Sequence, residues 1–229
     1  MLDNIKSGLV VSCQALEDEP LHSSFIMGRM AVAADQAGAL GIRANSKQDI
    51  LAIKKTTDLP VIGIVKRDYD DSEVFITATM EEINELAESG CDMIALDATD
   101  RPRPNGESLG AFINEIRAKY PSIPLMADAS TVEEVLAAER MGFDCVSTTL
   151  MGYTEYSTGD NIADNDFERL KEIVSKVSVP VIAEGKIDTP EKAKRCFEIG
   201  VHSVVVGSAI TRPQLIAKQF VDSIKQVNS

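Results

Sequence analysis

Histidine, basic residues and paired cysteines are all scarce in this chain of 229 residues, and tryptophan is absent. The two histidines, His22 and His202, lie far apart with no HxH motif, so we expect no zinc or other metal site. Lys and Arg number 23 against 36 Asp and Glu, which gives a net charge of −13. Such a chain has no basic face for nucleic acid, and an anionic ligand would depend on local donors.

The four cysteines are widely spaced and form no CxxC motif: Cys13, Cys91, Cys145 and Cys196. This spacing predicts reduced thiols, mostly buried, rather than a disulfide framework or a zinc site. The first apolar run, 9–13, is too short for a signal peptide, and no segment is long and apolar enough to span a bilayer. We therefore expect a cytoplasmic protein with no membrane partner.

Two recurring patterns predict where strands begin. One is a proline followed by apolar residues, because proline is tolerated as the residue that enters a strand; it occurs at Pro60, Pro124 and Pro180. The other is a helix-ending glycine followed shortly by an apolar run, as at Gly38, Gly90, Gly142 and Gly200. With the segment 8–13, these patterns predict eight strands near 8–13, 40–43, 61–65, 93–97, 124–127, 144–147, 181–184 and 203–206.

Amphipathic segments lie between these strands and predict helices near 80–89, 131–141, 166–176 and 189–199. Thr131 and Glu134 have capping-box spacing, and Pro190 suits the first turn of a helix. Strands that alternate with helices are parallel, so the chain belongs to the α/β class. Eight such units predict a (β/α)8 TIM barrel formed by a single domain, 1–229. A doubly wound open sheet is the alternative, and the barrel is favoured because closure removes both sheet edges.

Polar residues follow every predicted strand, at the end where α/β barrels carry their chemistry. One such residue is weak evidence, since it can simply bond to the backbone, but eight strand ends that meet at one rim predict a site. The residues in question are Gln14, Arg43, Lys66, Asp97, Asp128, Thr148, Thr149, Glu184, Gly207 and Ser208.

Glycine-rich loops follow the last two predicted strands, at 184–186 and 206–212. Glycine lets backbone amides approach an anion closely, and a short helix that starts there adds a positive dipole end. This placement predicts a phosphate site. Arg212 is positioned to add a charged donor, or else it only begins the final helix together with Pro213.

Lys66 is the best catalytic candidate because it directly follows the apolar strand 61–65. At an ordinary pKa near 10.4, only about one lysine in 2,500 is neutral at pH 7. Burial and a nearby Arg43 would lower the pKa of Lys66, whereas Glu184 or Asp128 would raise it, and the sequence leaves this balance open. The alternative is a lysine that pairs with Glu184 or binds the phosphate directly.

Charged loops near the same rim are open to simpler interpretations. The segment 17–19 (EDE) has the character of solvated loop charges. Arg101 and Arg103 either help to attract an anion or lie on the surface. The loop that contains Gly152 and Tyr153 is expected to cover the pocket.

Eight short segments, in the right order on the predicted strand ends, resemble one family. They are VVSCQA at 10–15, GIRAN at 41–45, GIVKR at 63–67, ALDAT at 95–99, MADAS at 126–130, STTLMGYT at 147–154, IAEG at 182–185 and VGSAITRP at 206–213. The chain is similar here to the bacterial N-acetylmannosamine-6-phosphate 2-epimerases, and the similarity extends from Gly8 to about Pro213.

The resemblance implies an isomerase that interconverts N-acetylmannosamine 6-phosphate and N-acetylglucosamine 6-phosphate in amino-sugar and sialic acid breakdown, with no metal and no nicotinamide cofactor. It implies that Lys66 is the acid/base at C2 and that Glu184 is a second participant. The residues that would hold the acetamido and hydroxyl groups are Gln14, Arg43 and Asp128, and those that would hold the phosphate are Gly185, Gly207, Ser208 and Arg212.

The resemblance also favours a homodimer. The final helix, near 213–227, carries an apolar stripe that is broader than one barrel face needs, with Leu215, Ile216, Phe220, Val221 and Ile224. The alternative is an ordinary outer helix packed on its own barrel.

Two rival functions stay open. A Schiff-base aldolase also needs a barrel, a phosphate site and a buried lysine, but the expected lysine position on strand 6 holds Thr148 and Thr149. A sugar-phosphate sensor would keep the phosphate site without chemistry, and the ionisable set of Lys66, Asp128 and Glu184 argues against it.

Overall fold

The computed structural model describes residues 1–227, and its sheet is a closed barrel. The parallel strands are β1 (Leu9–Cys13), β2 (Gly41–Asn45), β3 (Val61–Ile64), β4 (Met93–Asp97), β5 (Leu125–Asp128), β6 (Cys145–Ser147), β7 (Val181–Ala183) and β8 (Ser203–Val206). Each pairs with its successor, and β1 pairs with β8. The predicted TIM barrel is confirmed, and the open sheet is wrong. The predicted domain, 1–229, extends two residues beyond those described.

Helices connect the strands and surround the barrel. They are α1 (Leu2–Ile5), α2 (Ser24–Gln36), α3 (Lys47–Ile53), α4 (Met80–Ser89), α5 (Leu109–Lys119), α6 (Val132–Arg140), α7 (Asp164–Lys176), α8 (Pro190–Ile199), α9 (Ser208–Thr211) and α10 (Pro213–Val227). The capping box is confirmed: Thr131 accepts from the Glu134 amide, and the Glu134 side chain accepts from the Thr131 amide. Pro190 stands in the first turn of α8, as expected.

The predicted strands differ from the observed ones only at their ends. Strand β2 continues to Asn45, beyond the predicted end at residue 43, because Asn45 pairs with Ile64 of β3. Strand β7 ends at Ala183, so Glu184 lies just past the ladder instead of inside it. Proline and glycine mark where strands begin, whereas the pairing partner decides where a ladder stops.

The barrel interior is filled by alternate residues of the strands, because successive side chains point to opposite faces. Its apolar cluster includes Val10, Ile62, Ile64, Met93, Ala95, Met126, Cys145, Ile182 and Val205. Two residues further along the same strands, the same alternation directs Lys66, Asp128 and Glu184 to the inside. The interior therefore changes from apolar to ionisable at the C-terminal ends of the strands.

The opposite end of the barrel is closed by α1. Ile5 is fully buried and belongs to the interior apolar cluster. His202 lies at this end as well, with Nε2 2.9 Å from the Leu2 carbonyl oxygen. This histidine is therefore remote from the rim where the polar residues gather.

Arg103 has a structural role that neither sequence interpretation foresaw. Its side chain is 2% exposed and donates to the carbonyl oxygens of Asp97 (2.6 Å), Thr77 (2.9 Å) and Ala78 (3.2 Å). The guanidinium also stacks on Phe112, 4.2 Å from the ring centroid. Arg103 thus joins the loops after β3 and β4 and is not available to attract an anion. Arg101 is likewise engaged, by the buried Asp97 carboxylate at 2.6 Å.

Replacing Arg103 should destabilise the barrel. The Arg103→Met variant keeps most of the volume but leaves three buried carbonyl oxygens without donors, so we expect a loss of about 2–4 kcal/mol in the free energy of unfolding. Urea denaturation measures this loss. The control is Arg140→Met, which removes an exposed arginine and should change stability by less than about 0.5 kcal/mol. Equal stability of the two variants would contradict the assignment.

Candidate active site

A cavity of about 510 Å³ opens at the C-terminal ends of the strands. Every predicted site residue except Asp128 lines it: Gln14, Arg43, Lys66, Glu184, Gly185, Gly207, Ser208 and Arg212. The lining also contains Thr149 from the predicted rim and residues that the sequence did not single out, among them Ser12, Phe75, Asn161 and Lys186. The closed barrel therefore brings strand ends that are distant in sequence around one space.

Arg43 and Asp128 form a buried ion pair beneath this cavity. The guanidinium donates through Nη2 to Asp128 Oδ2 at 2.5 Å and through Nη1 to Oδ1 at 3.1 Å, and the side chains are 1% and 0% exposed. Burial alone would lower the pKa of Arg43, but the carboxylates of Asp128 and Glu184 raise it above its ordinary value. Arg43 is therefore a permanent cation, and Asp128 lies behind it, outside the cavity lining.

Glu184 connects this ion pair to the cavity. Its carboxylate lies 3.0 Å from Arg43 Nη1 and accepts a hydrogen bond of 3.0 Å from the Thr149 hydroxyl, which also contacts Asp128 at 2.8 Å. Burial raises the pKa of Glu184, although Arg43 opposes the shift. Thr149 was visible to sequence reasoning as a strand-6 end residue, but its link between two carboxylates follows only from barrel closure.

Lys66 presents its amine to the same cavity. Burial lowers the pKa of Lys66 to about 8, with further lowering by Arg43 and Arg212, while Glu184 and Glu19 act in the opposite direction. In residues 1–227 no carboxylate lies within ion-pair distance of its Nζ, and Glu184 pairs instead with Arg43. The balance that the sequence left open is thus decided in favour of the lowering effects.

Glycines shape the loops after β7 and β8. Gly185 has φ +99°, a left-handed conformation that strains any residue with a side chain. Gly207 precedes α9, and a Cβ there would approach the Ser12 Cβ to 3.3 Å. The amides of Ser208 and Ala209 come before the first hydrogen bonds of α9, which Ile210 and Thr211 donate to the Gly207 carbonyl. Amides at the first turn of a helix are donors of the kind that bind anions.

Arg212 stands beside this backbone and is held by Glu19. Two guanidinium nitrogens, Nε and Nη2, contact the Glu19 carboxylate at 2.6 and 2.8 Å, and Nη1 donates to the Ser208 hydroxyl at 3.1 Å. The interpretation of Glu19 as a solvated loop charge is therefore wrong. Its pairing partner lies 193 residues away in sequence, so no local pattern could reveal it.

Lys186 and the loop after β6 close one side of the cavity. The Lys186 ammonium donates to the Asp160 carbonyl oxygen at 2.6 Å and lies 5.4 Å from the centroid of the Tyr153 ring. Gly152 has φ +81°, and a Cβ there would come within 2.5 Å of Lys186 Nζ. A loop lies over the pocket as predicted, and Lys186 of the cavity lining contacts it at Asp160 and Tyr153.

The cavity differs in charge from the chain as a whole. Its lining holds the cationic side chains of Arg43, Lys66, Lys186 and Arg212 against the carboxylates of Glu184 and Asp188. In a chain of net charge −13, the cavity lining thus carries more cationic than anionic side chains, and Asp128 and Glu19 pair with two of the cations from outside the lining.

Within residues 1–227, no group of three or more His, Cys, Asp or Glu side chains is arranged to hold a metal ion. No helix in the same range has the length and apolar character to cross a membrane.

Comparison with known proteins places this chain in a family. Residues 27–226 match the family described as "Putative N-acetylmannosamine-6-phosphate epimerase". A protein of Shouchella clausii named "Putative N-acetylmannosamine-6-phosphate 2-epimerase" is 62% identical over 225 residues, which cover 98% of this chain and 99% of that protein. A protein of the same name from Oceanobacillus iheyensis is 59% identical, over an alignment that covers 96% of this chain and 100% of that protein.

A solved structure gives the same result in three dimensions. The N-acetylmannosamine-6-phosphate 2-epimerase from Clostridium perfringens superposes with a TM-score of 0.92 at 58% identity, over 97% of this chain and 95% of that one. The expected family is therefore confirmed by sequence and by fold. This chain belongs to the N-acetylmannosamine-6-phosphate 2-epimerase family.

Proposed function

We propose that this protein epimerises C2 of N-acetylmannosamine 6-phosphate to give N-acetylglucosamine 6-phosphate. The observation that carries the proposal is the Lys66 amine, whose pKa is lowered to about 8, in a cavity that also contains a backbone site for an anion. The names of the relatives supply the substrate class. With the 6-phosphate on Gly185, Gly207, Ser208 and Arg212, the reacting end of the sugar lies toward the barrel interior.

The proposed chemistry is proton removal and return at one carbon. When C1 of the open-chain sugar is an aldehyde, the C2 proton is acidic, and the Lys66 amine takes it to become an ammonium. The electron pair of the C2–H bond forms a C1–C2 double bond, and the C1 oxygen becomes the negatively charged oxygen of an enolate. Arg43, a permanent cation in the cavity wall, supplies donors for that oxygen. Return of a proton to the opposite face of C2 restores the aldehyde with inverted configuration.

Glu184 is the second participant in this proposal. Of the two carboxylates in the lining, its side chain is 14% exposed, whereas that of Asp188 is 51% exposed. Its raised pKa brings protonation closer to neutral pH, so it can hold a proton near the reacting carbon. The Thr149 hydroxyl and Arg43 fix its position.

The remaining residues bind and orient. Gln14 donates through Nε2 to the Ser12 hydroxyl at 2.8 Å and is oriented toward the cavity for the acetamido and hydroxyl groups, together with Arg43. Asp128 is separated from the cavity by Arg43, and we propose that it acts on substrate indirectly, by holding Arg43 in place. This assigns Asp128 a positioning role in place of the direct contact that the resemblance implied.

We propose that the reaction needs neither a metal nor a nicotinamide cofactor. The carboxylates that would serve as ligands are engaged by arginines: Asp128 and Glu184 by Arg43, and Asp97 by Arg101. Activity should therefore persist after exhaustive chelation.

The cytoplasm is the proposed location. The four cysteines are free thiols, and burial raises the pKa of each, so they resemble reduced, unreactive cysteines of an intracellular protein.

The lowered pKa of Lys66 predicts the pH dependence of catalysis. Protonated Lys66 cannot accept the C2 proton, so kcat/KM should rise with pH and level off above about 8. At pH 7 about one-tenth of the enzyme would then carry neutral Lys66, far more than an ordinary lysine allows. A pH profile of kcat/KM measures this directly. An inflection near 10 would show that burial and Arg43 do not activate the amine.

Replacing Lys66 tests the mechanism. The Lys66→Met variant should lose about 10²–10⁴-fold in kcat, the contribution of a positioned base, or more if the ammonium also stabilises the enolate. Proton NMR in D2O should show deuterium at C2 of the wild-type product, since a lysine amine exchanges its protons with solvent. The matched control, Lys186→Met, removes the other lining lysine and should retain C2 exchange.

Three results would contradict this proposal. They are product formed without C2 exchange, near-normal kcat in Lys66→Met, and equal kcat/KM on unphosphorylated N-acetylmannosamine. The first two would rule out Lys66 as the base, and the third would rule out the phosphate site. The rival aldolase chemistry also uses an amine of low pKa, and borohydride trapping separates it, because only a Schiff base leaves a permanent adduct on Lys66.

We further propose that the protein is a homodimer and that a second copy covers α10. This helix has no buried residues, and it exposes Phe220 (68%), Val221 (46%) and Leu215 (43%) on a long apolar face. A face of this kind is typical of an interface between identical chains. The alternative, an ordinary outer helix packed on its own barrel, would bury this face.

Sedimentation at micromolar concentration tests the dimer. Wild type should sediment as a dimer and Phe220→Lys as a monomer, because the charge would be buried without a partner. The control is Phe25→Lys, which changes a 75% exposed phenylalanine of α2 and should stay dimeric. A monomeric wild type would overturn the proposal.

A further inference from the structure

The Glu19 carboxylate accepts hydrogen bonds from residues near both ends of the chain. Its Oε1 accepts from Arg212 Nε at 2.6 Å and from Gln214 Nε2 at 3.1 Å. Its Oε2 accepts from Arg212 Nη2 at 2.8 Å and from the Leu16 amide at 2.9 Å. Hydrogen bonding to Arg212 lowers the pKa of Glu19, so this carboxylate stays ionised at physiological pH. The loop after β1 is thereby joined to the start of α10.

The two edges of the Arg212 guanidinium serve different partners. The edge formed by Nε and Nη2 is occupied by Glu19, in the bidentate geometry that arginine and carboxylate favour. The remaining nitrogen, Nη1, points to the Ser208 hydroxyl at 3.1 Å, within the proposed phosphate site. An anion bound at Ser208 can therefore meet Nη1 while Glu19 retains the other edge.

We propose that Glu19 is a positioning residue for phosphate recognition, which aims Arg212 at the loop after β8. The inference rests on the proposed function, since it takes the anion at Ser208 to be the substrate phosphate. Glu19 belongs to the loop after β1, and Arg212 follows β8, so the contact spans the seam where the barrel closes. Phosphate affinity then depends on a residue that does not itself touch phosphate.

We expect Glu19 to help phosphate binding by orienting Arg212 more than it hinders binding by repelling the anion, for two reasons. The charge of Glu19 is already paired with Arg212, so it adds little net repulsion toward an incoming anion. An arginine side chain that is already held in place loses less conformational freedom on binding, and immobilising one such side chain corresponds to about two- to tenfold in affinity. Removal of Glu19 should therefore weaken phosphate binding, even though it makes the site more positive.

Titration with inorganic phosphate tests the proposal without relying on turnover. In isothermal calorimetry, Glu19→Gln should raise the Kd by about two- to tenfold, because the amide can accept from only one of the two Arg212 donors. The matched control, Glu17→Gln, removes the same charge from an exposed residue of the same loop and should not weaken binding. The KM for N-acetylmannosamine 6-phosphate should rise in parallel in Glu19→Gln, with kcat changed less than about threefold.

A double-mutant cycle tests whether Glu19 acts through Arg212. In an Arg212→Met background, Glu19→Gln should cause no further loss of phosphate affinity. A Kd that falls in Glu19→Gln would show that Glu19 competes with phosphate, and an unchanged Kd would show that it has no part in recognition; either overturns the proposal. Phosphate bound normally by a wild type without epimerase activity would refute the proposed function alone.

Discussion

The buried ion pair between Arg43 and Asp128 is the interaction on which the cavity depends. A guanidinium that is 1% exposed can be tolerated inside a barrel only if a carboxylate pairs with its charge, and Asp128 does so through two hydrogen bonds. Once fixed, Arg43 acts on two neighbours: it binds Glu184 at 3.0 Å and lowers the pKa of Lys66. The ion pair thus adds to the effect of burial, which is the larger cause of the lowered pKa of Lys66, and it fixes the position of the Glu184 carboxylate.

The distribution of charge explains how an acidic protein can hold an anion. The net charge of −13 arises over the whole chain, whereas the cavity lining has an excess of cationic side chains. Donors close to a bound anion outweigh the more distant negative charges of the chain, because interactions between exposed charges are screened by salt over about 10 Å. Glu19 extends this arrangement, since an acidic residue beside the site serves to orient Arg212.

Much of the fold could be predicted because its signals are local. Proline at strand entries, glycine at helix ends and apolar runs between them depend on a few neighbouring residues, and they located every strand of the barrel to within about two residues. Most of the candidate site could be predicted from the positions of the strands, since residues just past the ends of parallel strands meet at one rim. The contacts of Asp128, Glu19 and Arg103 could not be predicted, because each depends on partners brought near by closure of the barrel.

By itself, the sequence determined the order of strands and helices, the position of the glycine-rich loops after the last two strands, and the identity of Lys66, Arg43 and Glu184 as strand-end residues. Only the tertiary structure decided which of these groups pair. Arg43 and Glu184 both act on the pKa of Lys66, and Glu184 forms its ion pair with Arg43. This choice of partner depends on the distances between three strands. The pKa of Lys66 was decided in the same way. Burial and charge act over a few ångströms in space, and no spacing along the chain encodes them.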